Sequence, residues 1–273
     1  MKRQLLILCL ACCLTLVMTT GTFAGDADTF SITDETGKAG TRLLAETKGF
    51  TTVPFQLGNG NLLLTLGVAG AVGLTYSLDS EIRDGVQKNR SRGIDRAADT
   101  GALIGNPFVH LGAAALLYGG GVLADSPRWK EVGEMLGEAL ILADGATLLI
   151  KETTGRGRPT ATDHKGDFRP FSFKSDYDSF PSMHTASSFA VASVMARTSD
   201  SLPVAVSSYC AAAIVGFSRM YQNKHWASDV LLAAAIGELA GRIATRQHAR
   251  QSSYTFIPTT LDSGGGLVLT GRF

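Results

Sequence analysis

The chain has 273 residues, with 25 basic and 24 acidic side chains, a net charge of +1 and 45% hydrophobic residues. That length suffices for one sizeable domain with a well-buried core. The near-balance of charge excludes the strongly basic face expected of a nucleic-acid binder.

Residues 1–24 read as a secretory signal. Lys2 and Arg3 form a basic start, Leu5 to Met18 an apolar stretch, and Thr22-Phe23-Ala24 a small-residue cleavage site before Gly25. The alternative is an uncleaved N-terminal anchor. Cys9, Cys12 and Cys13 fall in this segment, so the mature chain keeps only Cys210. No internal disulfide is then available, no Cys/His pattern marks a structural zinc site, and Cys210 is expected as a small core residue. Losing Lys2 and Arg3 leaves 23 of the 25 basic residues against 24 acidic ones.

Residues 25–55 are polar and mixed, and read as a loose N-terminal arm. Leu62 to Leu78 is apolar and Gly-rich and runs into a charged stretch, Asp79 to Asp99. Gly101 to Ala124 and Trp129 to Lys151 are further apolar segments. A loop from Gly155 to Phe180 follows, rich in Asp, Lys, Gly and aromatics. Helical patterns return at 183–198, 202–218 and 226–248, with Pro203 in the first turn of one. The expectation is an all-α fold, a bundle of roughly six helices over residues 56–250. Leu62–Tyr76 and 203–217 are apolar enough to be taken for membrane spans. Glu138, Asp144 and Glu238 interrupt other segments, which favours a soluble or peripherally bound exported bundle over an integral membrane protein. Residues 251–273 read as a C-terminal β-hairpin, with Leu267, Leu269 and Phe273 alternating with Val268, Thr270 and Arg272. A terminal Phe after such alternation resembles the ends of outer-membrane barrels, but one hairpin cannot close a barrel. Packing on the bundle or pairing with another chain is the plainer expectation.

The chemistry concentrates in three short segments. Lys151 and Arg158 stand seven residues apart, about two helical turns, and can reach toward one point. With Arg219 they would clamp a phosphate-like anion, Arg by its fork and Lys as a compact charge. Taken alone, a Lys and an Arg at a helix end are an ordinary solvated terminus. Ser182 in Pro181-Ser182-Met183-His184 is a natural N-cap. The first backbone N–H groups of the following helix make an anion seat. His184, in that first turn, would protonate the leaving alkoxide. Ser218-Arg219 runs on to His225 and Asp229. His225 would attack phosphorus to give a phosphohistidine, with Asp229, one helical turn on, holding its other ring nitrogen. Alone this is a surface His–Asp pair. Three such segments in order, each at a helix boundary, are improbable as coincidence.

Together, Lys151-x6-Arg158-Pro159, Pro181-Ser182-x-His184 and Ser218-Arg219-x5-His225-x3-Asp229 resemble the three signature motifs of the type 2 phosphatidic acid phosphatase superfamily. That superfamily includes bacterial acid phosphatases and vanadium-dependent haloperoxidases. The match covers residues 151–229 directly and its helical pattern extends over about 60–248. The resemblance implies an all-α bundle and a phosphohistidine mechanism without a metal or other cofactor. The substrate-phosphate contacts would fall to Lys151, Arg158, Ser182, Met183 and Arg219, and the chemistry to His184, His225 and Asp229. The family usually has Gly at position 183, where its N–H meets phosphate. Met183 keeps the N–H but adds a side chain, which leaves the width of the pocket open.

The expected activity is an exported phosphatase acting on a phosphorylated lipid (phosphatidic acid, a prenyl pyrophosphate or a lipid A phosphate) or on a small soluble ester. It would be periplasmic, or associated with a membrane surface and facing the periplasm. The alternatives are a non-specific acid phosphatase, a haloperoxidase holding vanadate in the same clamp, and an assembly protein that uses its terminal hairpin. The loop from Thr160 to Phe180 is a candidate lid, its Arg169, Lys174, Phe168, Phe171, Phe173, Tyr177 and Phe180 suited to an amphipathic ester. A loop pinned to the surface by those aromatics is the equal alternative. His164 receives no role.

Overall fold

The computed structural model describes residues 32–199, 201–252, 254–261 and 264–271. The signal segment, with Cys9, Cys12 and Cys13, lies outside the described residues. The chain divides into a unit ending at Ala45 and a unit beginning at Glu46. Where the sequence led us to expect a loose arm, helix α1 runs over Ile32–Thr52. That stretch lacks proline, carries Ala, Leu, Glu and Lys, and turns the hydroxyls of Thr41 and Thr51 back onto carbonyls one turn earlier.

The second unit continues with α2 (Asn61–Ser77), α3 (Asp79–Lys88), α4 (Arg92–Ile104), α5 (Pro107–Leu123), α6 (Pro127–Thr154), α7 (Met183–Thr198), α8 (Leu202–Tyr221) and α9 (Ala227–Ser252). The described residues therefore hold nine α-helices where the apolar pattern gave about six. The charged stretch 79–99, which carried no apolar period, folds as α3 and the start of α4. Local caps explain this. Ser91 accepts from Ile94 N at 3.4 Å to open α4, and Asn106 accepts from Phe108 N at 2.9 Å to open α5, with Pro107 at its first position. Helices α2 and α3 meet at a 60° bend, and α4 and α5 at 49°. The backbone of Tyr254–Leu261 and Gly264–Gly271 lies as two antiparallel strands, with Tyr254 opposite Gly271.

The core lies among α6, α7 and α9. Leu136, Leu140 and Ala143 of α6 meet Ala186, Ala190 and Val194 of α7 and Ala233, Ile236 and Ala240 of α9. Small residues let α7 and α9 approach closely: a Cβ on Gly237 would lie 2.2 Å from the Ala186 carbonyl oxygen. The carboxylates that interrupt the apolar segments each have a partner. Glu138 meets His248 Nε2 at 2.7 Å and Asp144 meets Ser187 Oγ at 2.5 Å. Glu238 accepts from Arg197 at 2.5 Å and from Tyr209 at 2.6 Å. Outward-facing apolar side chains remain in quantity: Leu63, Leu66 and Leu74 on α2, Leu116 and Leu123 on α5, and Leu202, Val206, Ile214 and Phe217 on α8. Among the described residues α8 is long and apolar enough to cross a membrane, and the number rises to three if each bent pair counts as one span. Cys210 is exposed on α8, contrary to its expected place in the core, because the face it shares with Val206 and Ile214 turns outward.

Candidate active site

Four chain segments converge: the end of α6, the start of α7, the end of α8 and the start of α9. Helix α6 stops at Thr154, where Gly155 takes φ +57° and returns its N–H to the Lys151 carbonyl at 2.9 Å. Only glycine fits there, because a Cβ would lie 1.8 Å from the Arg169 carbonyl oxygen. Arg158 therefore lies in the loop beyond the cap. Its meeting with Lys151 comes from that turn, not from a shared helical face. Asp178 joins the two: its carbonyl accepts from Lys151 Nζ, and its carboxylate accepts from Arg158 Nε at 2.6 Å. Arg219, near the end of α8, is buried. It donates from one terminal nitrogen to Gln222 Oε1 at 2.7 Å, and its Nε is buried with no hydrogen-bond partner.

Ser182 occupies the N-cap of α7 but makes no capping bond with its side chain; its Oγ instead accepts from Thr185 Oγ1 at 3.0 Å. His184 follows in the first turn. Burial pushes it down to about 3, and Arg219, Lys151 and Arg158 push in the same direction. His225 sits in the turn before α9, held well below its ordinary value by burial and then by Lys151, Arg158 and Arg219. Lys151 is lowered to about 8 by burial, against the opposing pull of Asp178. All three cations thus act on both histidines, and the site carries an excess of positive charge.

The Nδ1 of His225 lies 2.7 Å from the Ser179 carbonyl oxygen. A carbonyl only accepts, so Nδ1 carries the hydrogen and Nε2 keeps a free lone pair. Asp229, expected as the partner of this ring, stands 3.7 Å from Nδ1. Its carboxylate is turned mainly to other donors. Oδ2 accepts from Ser179 Oγ at 2.5 Å and Trp226 N at 2.8 Å, and Oδ1 accepts from Arg156 at 2.6 Å. The bond to Trp226 N closes the first turn of α9 from the third helical position, as in a capping box.

The motif spacing gave no sign of several residues in this network. Arg156 is buried and also donates to Ser228 Oγ at 2.8 Å, Asp79 Oδ2 at 2.7 Å and the Lys165 carbonyl at 3.0 Å. Arg83 of α3 donates to the Pro159 carbonyl at 2.9 Å and so holds the chain just after Arg158. Asp178 and Ser179 were lost within the loop. An Arg two residues before a clamp Arg, in a chain of balanced charge, was the only available signal. Trp226 is buried and donates Nε1 to the Gly157 carbonyl at 2.9 Å. The loop around Phe168 is tied to the bundle through its backbone, with Arg169 N on the Gly155 carbonyl at 2.7 Å and Phe171 N on the Glu152 carbonyl at 2.8 Å. Phe168 and Phe180 lie over the Arg156 guanidinium, while Phe171 and Phe173 are exposed with positive φ.

This constellation on an all-helical frame defines a class. The sequence profile of the PAP2 superfamily matches residues 135–253 of this chain. The lipid A 1-phosphatase of Porphyromonas gingivalis is 35% identical over 140 residues, half of this chain. The chain spans 28% of that relative's length. A transmembrane PAP2-type phosphatidylglycerolphosphate phosphatase from Bacillus subtilis superposes with a TM-score of 0.52 at 22% identity, over 69% of this chain and 94% of that one. LpxE of Aquifex aeolicus superposes at 0.47 and 22% identity, over 62% of this chain and 95% of its own. The first of these structures supports the shared fold.

Proposed function

We propose that this chain is an exported, membrane-bound lipid-phosphate phosphatase that hydrolyses a phosphate monoester through His225. The supporting observation is the convergence of Lys151, Arg158 and Arg219 on His184 and His225, with Arg219 Nε buried and unpartnered. Three cations held together in a partly desolvated site repel one another. A phosphate dianion removes that cost and supplies the missing acceptor. His225 Nε2 attacks phosphorus while His184, which regains its proton beside the dianion, passes it to the leaving alkoxide. Water then cleaves the phosphohistidine, with His184 as base, and His225 is regenerated. Lys151, Arg158, Arg219 and the N–H groups at Ser182 and Met183 hold the equatorial oxygens.

The lipid character of the substrate rests on the outer surface. Leucines face outward on α2, α5 and α8, and the carboxylates that argued for a soluble bundle each have a hydrogen-bond partner. The bent pairs α2–α3 and α4–α5 together with α8 are the candidate spans. The relative from Porphyromonas gingivalis is named a lipid A 1-phosphatase, and that name supports a glycolipid phosphate as the first substrate to test. The test is phosphate release by the detergent-solubilised protein, with chelator present, from lipid A, phosphatidic acid and p-nitrophenyl phosphate. His225→Ala is expected to abolish turnover on every substrate. Turnover surviving in that variant would remove the nucleophile assignment. Turnover confined to p-nitrophenyl phosphate would remove the lipid reading.

A further inference from the structure

The nucleophile is backed by a buried chain of charges that begins outside the PAP2-matched segment. Asp79 opens α3 at the 60° bend after α2, and its carboxylate is completely buried. Oδ2 accepts from Arg156 at 2.7 Å and from Ser228 Oγ at 2.6 Å, and Oδ1 accepts from Ser228 N at 2.9 Å. Arg156 passes to Asp229 at 2.6 Å, Asp229 to Ser179 Oγ at 2.5 Å, and the Ser179 carbonyl to His225 Nδ1 at 2.7 Å. The guanidinium is walled by Tyr76 and Trp226, its carbon 4.9 and 5.3 Å from their ring centroids. Behind His225, the side chains of Asp79, Arg156, Ser179, Ser228 and Asp229 are all buried.

Resting on the phosphatase reading above, we infer that Asp79 is a positioning residue for the reaction, setting through Arg156 the charge that Asp229 presents to His225. The physical reason is a count of charges. Arg156 is always protonated, so Asp229 and Arg156 alone would sum to zero, and Asp229 would be neutralised by its own anchor. Asp79 engages the other side of the guanidinium and brings the unit to −1. His225 acquires positive charge as its Nε2 bonds to phosphorus, with the Asp229 carboxylate 3.7 Å from Nδ1. A net negative unit stabilises that ring in the transition state, and its buried surroundings leave the effect little screened. Asp79 touches neither substrate nor His225. It also ties the bend between α2 and α3 to the first turn of α9, so the frame and the field depend on one carboxylate.

The experiment compares wild type, Asp79→Asn, Arg156→Gln and the double variant, whose units carry −1, 0, −2 and −1. Each is measured for kcat, KM, orthovanadate inhibition and thermal midpoint. Asp79→Asn is expected to lower kcat about tenfold or more, the scale on which outer partners affect the groups they orient. Its KM stays within about twofold, because the clamp is untouched, while orthovanadate inhibition weakens in step with kcat, because vanadate bonded to Nε2 charges the ring as the transition state does. The double variant, with its charge restored, recovers kcat above Asp79→Asn, although it has lost more hydrogen bonds. An unchanged kcat in Asp79→Asn overturns the inference. So does loss of kcat together with a raised KM or lost folding, which makes Asp79 a purely structural anchor, and so does a double variant no better than the single. A wild-type protein that hydrolyses no phosphate ester overturns the phosphatase reading instead, and the wild-type control separates the two failures.

Discussion

Replacing Arg219 by Met tests the clamp with opposite effects on stability and activity. Met keeps most of the buried stem's packing and removes the charge. In the empty protein the unpartnered Nε costs about 1–3 kcal/mol, and its removal recovers that amount. Mutual repulsion with Lys151 and Arg158 also disappears, which adds to the recovered stability. The lost bond to Gln222 costs about 1 kcal/mol. The variant is therefore expected to be at least as stable as wild type, with about 2–4 °C of thermal midpoint for each kcal/mol gained. Its kcat/KM should fall by about 10²–10³, the usual loss when one preorganised donor to a developing oxyanion is removed. Thermal unfolding in detergent, with and without orthovanadate, checks both halves. A midpoint several degrees lower, or vanadate protection equal to that of wild type, would refute the reasoning, because Arg219 would then be a structural cation.

Stability of the empty protein should fall as pH drops below about 6.5. His184 and His225 have folded values below their unfolded ones, so in that window the unfolded chain binds more protons and is favoured. His184→Asn should flatten the slope of thermal midpoint against pH between about 7 and 5, and an unaltered slope would count against the depressed histidine. Gly155→Ala should destabilise the protein by more than about 1 kcal/mol and abolish activity, since the new Cβ meets the Arg169 carbonyl within the turn that brings Arg158 to Lys151. Parallel thermal and activity measurements check this. Met183→Gly opens the phosphate seat at little cost in the first turn of α7. The ratio of kcat/KM on phosphatidic acid to that on p-nitrophenyl phosphate should rise, and a constant ratio would show that Met183 does not limit the pocket.

Sequence pattern alone carried the motifs a long way. The residue types and order of Lys151, Arg158, His184, Arg219, His225 and Asp229 determined the chemistry they suit, because fixed cations and neutral imidazoles serve few other tasks. Periodicity determined that the chain is helical, since apolar spacing near 3.6 residues is written locally. Helix α1 and the helices within 79–99 escaped because caps and propensity, without an apolar stripe, form them. The spacing arguments were right about proximity and wrong about cause. Lys151 and Arg158 meet through a left-handed glycine past the helix end, and Asp229 faces Arg156 and Ser179 more closely than it faces His225. Only the tertiary structure decided that Ser179 fixes the His225 tautomer, that Asp79 reaches Arg156 across 77 residues, and that Cys210 faces outward. Local sequence specifies which groups a segment can offer. Which carboxylate a buried arginine meets depends on helices packed together from distant parts of the chain, and that information lies in no single stretch of it.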